Sequence, residues 1–297
     1  MTHLIQPVRR RRQTNATRAG VARAGVARAG AALALTALLT LPSSVAHSQT
    51  IRAGAGVGIN AATAARDLFR ADIGGGNVAG ANGSFGGVRR EVNWDGVPAA
   101  FAAPFNLPAN FFNVNSPRGI LYSTPGTGFQ VSGAVGDIGV GQPAGANFGN
   151  INASYSSTFS PFSGQRLFTS VGSNITDVTF QIAGTNKQGV TRGFGSIFSD
   201  VDLADVSSIQ FFDASNISLG SFVVPNVAGA TASHFSFLGV SFATPVVSRV
   251  RITTGNAPLG AATNDQDGRL NDLVVMDDFV YGEVTQVVPE PATMGLL

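Results

Sequence analysis

The amino-acid sequence predicts an all-β fold, an antiparallel β-sandwich of jelly-roll type preceded by one short N-terminal helix. Three observations carry this. The chain holds 37 Gly, 14 Pro and 21 Phe with only 12% charged residues, a composition that suits many short strands joined by turns. Apolar and polar residues alternate in a series of short runs from Gly119 to Tyr281, with turn residues between them. No long helical period separates those runs, which argues against a parallel α/β sheet.

Taken in order, residues 1–48 read as a secretory signal peptide. Arg9 to Arg12 supply a basic start, Ala31 to Leu41 an apolar stretch, and Pro42-Ser43-Ser44 a break. Cleavage after Ala46 or after Ser48 places small residues where a signal peptidase needs them. The apolar stretch is shorter than the roughly 20 residues of a membrane span, so no stable span is expected. Residues 49–282 read as the mature β-sandwich domain, with 49–90 as its helical and glycine-rich lead-in. Residues 60–71 predict the helix, with Asn60 as N-cap, Leu68 and Phe69 on its apolar side, and Gly74-Gly75-Gly76 ending it. Gly54 to Gly58 are glycine-rich but do not follow a strand of a βαβ unit, so they do not mark a nucleotide site.

Strands are expected at 119–122, 128–132, 176–182, 208–212, 219–224, 235–242, 246–253 and 273–281. Asp213-Ala214-Ser215-Asn216 predicts a hairpin between the fourth and fifth of these. In 246–253, Val250 and Ile252 share one face and Arg249 and Arg251 the other.

The formal charge of +2 is set by the leader. Seven of the 18 Arg precede residue 30 and no acid precedes Asp67. Residues 49–297 hold 11 Arg and one Lys against 17 acids, a net charge of −5. A nucleic-acid footprint is therefore not expected. The absence of cysteine excludes disulfides and thiolate metal sites.

The chain ends in Val288-Pro289-Glu290-Pro291-Ala292-Thr293 followed by Met294-Gly295-Leu296-Leu297. This resembles the opening of a PEP-CTERM sorting signal, in which Pro-Glu-Pro precedes an apolar helix and a basic stop. The resemblance implies an exosortase as partner where the tail is complete. Here residues 283–297 form a partial tail: Pro289, Glu290 and Pro291 match, and the spanning helix and basic stop do not follow. Five further stretches are similar to exported bacterial proteins that often carry this tail: Arg90 to Pro98, Asn115 to Gly119, Gly193-Phe194-Gly195, Asp200-Val201-Asp202, and Val275 to Phe279. The similarity implies a secreted or cell-surface β-domain.

Catalytic residues are scarce. The three His are His3, His47 and His234, and only His234 is clear of the leader and its cleavage point. No Gly-x-Ser-x-Gly or His-Glu-x-x-His is present. His234 is expected at the surface or at a strand end. Carboxylates are more suggestive. Asp200, Asp202 and Asp205 follow a strand, Asp265 and Asp267 share a loop, and Asp277 and Asp278 lie near the last strand. Calcium takes six to eight hard oxygens from carboxylates and carbonyls, so Asp200, Asp202, Asp265, Asp267 and Asp277 are candidate ligands of a structural Ca2+. Carbohydrate-binding modules of jelly-roll type resemble this arrangement. The alternative places these Asp in solvated turns, with one of Asp277 and Asp278 pointing outward by strand alternation. Trp94 is expected as a core anchor beside the Asp95-Gly96 turn. The alternative has Trp94 stacking on a sugar between Glu91 and Asp95 as hydrolytic carboxylates. The leading functional expectation is a non-enzymatic extracellular β-sandwich that binds matrix polysaccharide or serves a structural role. The second is an Asp/Glu-dependent hydrolase of extracellular glycan.

Overall fold

The structure, a computed structural model, describes residues 47–134, 146–229, 233–265 and 270–287. Residues 1–46 of the expected leader, Asp267 and the Pro289, Glu290, Pro291 motif lie outside the described residues. The chain opens with β1 (Gln49–Val57) and α1 (Asn60–Ile73), followed by β2 (Ser84–Phe85), β3 (Arg89–Val92), β4 (Ile120–Ser123) and β5 (Gly128–Val131). Next come β6 (Phe168–Val171), β7 (Ile175–Phe180), β8 (Gly189–Val190), β9 (Gly193–Ser199) and β10 (Ser208–Phe212). The last are β11 (Ser218–Val223), β12 (His234–Phe242), β13 (Arg249–Thr253), β14 (Val275–Gly282) and β15 (Thr285–Gln286).

The fold is all-β and antiparallel, as the sequence predicts. One sheet runs β1-β12-β9-β14-β3-β2, with β6 also on β14 and β5 on β6; the other runs β11-β10-β13-β7-β4. The N-terminal third is not a separate lobe, because β1, β2 and β3 pair into the same sheet as β9, β12 and β14. The two sheets share one core in a sandwich-like arrangement. Phe194, Phe198, Met276 and Phe279 of the first meet Phe180, Ile209, Phe211, Val250 and Ile252 of the second. Phe180 and Phe194 touch across the layers with ring centroids 6.3 Å apart. Removing this apolar surface from water, at about 25 cal/mol per Å², is the main force holding the sheets together.

Alternation is legible where one face meets water. In β13, Val250 and Ile252 are buried, while Arg249 and Arg251 turn outward and grip Asp177 of β7 with N–H donors 2.7–2.9 Å from its oxygens. The second β-hairpin strand also forms as expected, β11 folding back on β10.

Three expectations are corrected. The helix is α1, but Ile59 occupies the N-cap position and no side chain caps it. Its buried stripe is Ala62, Ala65, Phe69 and Ile73, and Leu68 is 52% exposed. One residue is 100° of helix rotation, so Leu68 cannot share the face of Phe69. That stripe packs on Ile197, Phe235, Phe237 and Val280, the outer face of the first sheet. The glycine-rich residues 54–57 are the second half of β1. Finally, Asp277 and Asp278 do not alternate. The β9–β14 register shifts between Met276 and Phe279, and this irregularity leaves both carboxylates buried.

Candidate metal centre

Three stretches of chain far apart in sequence meet at one end of the first sheet. The β9–β12 ladder sets Phe235 opposite Ser199, so His234 at the start of β12 comes to face Asp200 just past β9. The Asp200 N–H donates to the His234 carbonyl, continuing the ladder by one step. Asp200 adopts a left-handed φ of 74°, uncommon for a residue with a side chain but tolerated by Asp. Val201 is then fully buried in the sandwich core, which leaves Asp200 and Asp202 flanking the imidazole. Asp200 Oδ1 lies 3.5 Å from His234 Nδ1, and Asp202 Oδ1 lies 3.5 Å from His234 Nε2. All three residues are buried.

Asp272 completes the group from the segment before β14. Its carboxylate accepts the N–H groups of Asp202 at 3.3 Å and Leu203 at 2.9 Å. Its backbone is fixed by Asn256, whose amide nitrogen donates to the Asp272 carbonyl while its Oδ1 accepts the Asp272 N–H. The neighbouring Gly255, at φ 62°, allows this approach: a Cβ there would stand 1.9 Å from the Asp272 carbonyl oxygen. Asp265 accepts the Leu273 N–H at 3.0 Å.

Two overlapping sets of ligand atoms result, each within 4.8 Å of one another: Asp200, Asp202 and His234, and Asp202, Asp265 and Asp272. Asp202 belongs to both. The second set is all oxygen and suits a hard cation such as Ca2+. The first adds an imidazole nitrogen and suits Mn2+ or Zn2+ better. Of the sequence candidates, Asp200, Asp202 and Asp265 are brought together, and Asp267 lies outside the described residues. Asp277 joins neither set. Its carboxylate accepts the N–H groups of Phe162 and Ser163, and Asp278 beside it pairs with Arg66. Burial and the neighbouring Asp278 charge push the Asp277 carboxyl well up.

His234 and Asp272 were not expected here. His234 is at a strand end but fully buried: it lies on the core-facing side of β12 with Leu238 and Val240, and Asp200 and Asp202 close over its imidazole. Asp272 had one available signal: an acid directly before the buried run Leu273 to Tyr281. Burial, outweighing the two N–H donors, raises its carboxyl to about 6, with the Asp202 and Asp265 charges acting in the same direction. The folded state thus holds the Asp272 proton more tightly than the unfolded chain, whose Asp titrates near 3.9. The sign follows: without a cation, this group's contribution favours folding below about pH 4 and is lost as pH rises through about 6. In chelator, the stability of wild type relative to Asp272→Asn is expected to fall by on the order of 2 kcal/mol between pH 4 and pH 7. Urea titrations at the two pH values measure it; a pH-independent difference would show that Asp272 titrates normally.

The other carboxylates flagged by sequence serve structural pairs. Glu91 is held by Arg70 and Arg89, and Asp95 accepts the N–H groups of Gln165 and Arg166. Trp94 between them is 1% exposed and stacks on Phe168, so it is a core anchor. No family model matches the chain, and no match was found among the curated proteins or the solved structures. Among the described residues, no helix is long and apolar enough to cross a membrane.

Proposed function

We propose that this chain is an exported, extracellular or cell-surface β-sandwich of jelly-roll type that acts by binding or as a structural component, associates with exopolysaccharide, and is held together at one end by a divalent cation, calcium first. The observation that carries the cation is the meeting of Asp200, Asp202, His234, Asp265 and Asp272 around a shared carboxylate. Four carboxylates gathered in a largely buried place repel one another, and a cation of charge +2 removes that repulsion. The export reading is supported by the basic-apolar-small order of residues 1–48 and by the Pro289-Glu290-Pro291 motif, for which an exosortase is the corresponding partner. The sandwich supports a binding role because its Glu91 and Asp95 carboxylates are committed to arginines and backbone donors rather than facing each other across a cleft.

The test is a glycan array probed with the purified chain in calcium and again in chelator, with reducing-end release measured on every glycan bound. Retention without release is expected. Release of shortened glycan would replace the binding role with the hydrolase, and no retention on any glycan would leave a structural role.

A further inference from the structure

Arg118 stands at the end of a cavity of about 380 Å³ lined by Asn93, Trp94, Phe101, Phe111, Asn115 and Ser116, among others. A second cavity of about 280 Å³ also has Arg118 in its lining, with Asn82 and Gly83. The Arg118 guanidinium is a cation without a counter-charge: among the described residues no carboxylate lies within 4.0 Å of it. This sets it apart from its neighbours, since Arg70 and Arg89 pair with Glu91 and Arg90 pairs with Glu283. Among the described residues its only hydrogen bond is from Nη1 to the Glu91 carbonyl at 2.8 Å, and Nε is shielded from water with no acceptor there. The guanidinium lies over the Phe112 ring, 5.0 Å from its centroid. Burial pulls the Arg118 pKa down, the mark of a cation short of partners.

The rest of the cavity is chemically mixed in a useful way. The side chains of Asn93, Asn115 and Ser116 make no hydrogen bond to the described protein. They offer amide and hydroxyl groups beside the partly buried ring of Phe101. Hydroxyl-matching groups, an aromatic surface and one unpaired guanidinium together fit a sugar ring that carries a carboxylate. A carboxylate supplies the counter-ion that Arg118 lacks, and Nη2, which donates to no described group, is the nitrogen left for it.

We propose that the Arg118 cavity binds the carboxylate of a uronic-acid residue, so that the polysaccharide recognised by this chain is an acidic one. The assignment rests on the polysaccharide-binding reading above for its biological ligand, but the site can be tested alone. Trp94 is the single tryptophan of the chain and lines the cavity, so its fluorescence reports occupancy. Titration of the full chain with glucuronate is expected to give a saturable change, with glucose and acetate each at least about tenfold weaker. Arg118→Gln is expected to abolish the response. Should Arg118→Gln fail to fold, Asn115→Ala on the exposed rim is expected to weaken glucuronate several-fold with an unchanged melting temperature. A flat titration, an equal response to glucose or to acetate, or wild-type binding by folded Arg118→Gln would overturn the site. Co-sedimentation with an acidic polysaccharide and its carboxyl-reduced form separates the two readings. Equal binding of both forms overturns the Arg118 assignment and leaves polysaccharide binding standing. No binding of either, with glucuronate still titrating Trp94, overturns the polysaccharide reading and leaves the site.

Discussion

Adding calcium to the chelator-treated protein is expected to raise its melting temperature by about 5–10 °C, and Asp202→Asn is expected to erase that rise. The size follows from linkage: a ligand at a hundred times its Kd stabilises the folded state by about 2.7 kcal/mol, and 1 kcal/mol shifts a domain of this size by about 2–4 °C. Asp202 is the informative position because it is the one residue common to both sets of converging ligands. In chelator, Asp202→Asn is expected to melt at or slightly above wild type, since it removes one of several buried like charges. The neighbours then identify the ion. Asp265→Asn removes an oxygen from the all-oxygen set alone, whereas His234→Gln removes the nitrogen from the mixed set alone. A calcium response lost with Asp265→Asn places the ion among the oxygens. A response to Mn2+ or Zn2+ but not to calcium, lost with His234→Gln, would move it to the imidazole. Equal melting with calcium, Mn2+, Zn2+ and chelator would return these Asp to a purely structural role.

Trp94→Ala is expected to cost about 3–5 kcal/mol, the range for emptying a large aromatic site in a packed core. The ring lies parallel to Phe168 with centroids 4.0 Å apart, and edge-on to Phe279 at 5.0 Å and Phe112 at 5.5 Å. Its Nε1 donates to the Asp277 carbonyl at 3.0 Å, tying the turn before the cavity to the irregular stretch of β14. Trp94 itself adopts φ 67°, an outlier for so bulky a residue, held in place by these contacts. Trp94→Phe keeps a ring on Phe168 and loses the donor, so a smaller loss, about 1–2 kcal/mol, is expected. Urea unfolding followed by circular dichroism measures both. Near-wild-type stability of Trp94→Ala would mean that this aromatic cluster is not the centre of the core.

How much of this was legible in the sequence depends on which physical rule each residue obeys. In β13, one face meets the core and the other meets water, so Val250 and Ile252 alternate with Arg249 and Arg251 and the strand is readable. In β9, Gly193–Ser199 is buried on both faces, by the second sheet and by α1, so no alternation exists to be read and the strand is marked only by the Asp-rich turn that follows it. β1 was missed for a related reason. Its glycines and alanines lie under α1, where small residues are required, and composition alone marks them as a linker. Asp277 and Asp278 defeated alternation because of a register shift that only the β9 pairing imposes.

The class of fold, the one-sided strands, the hairpin at Asp213 to Asn216 and the richness in Asp near two strand ends can all be read from the amino-acid order. These are local properties, set by side-chain period and turn chemistry within a few residues. Long-range packing sets which Asp meet, that His234 lies among them, and that Arg118 has no carboxylate beside it among the described residues. Those facts depend on pairings between residues tens of positions apart, such as Asp200 with His234 and Asp202 with Asp272. Ladder register and burial create such neighbours, and no local pattern encodes them.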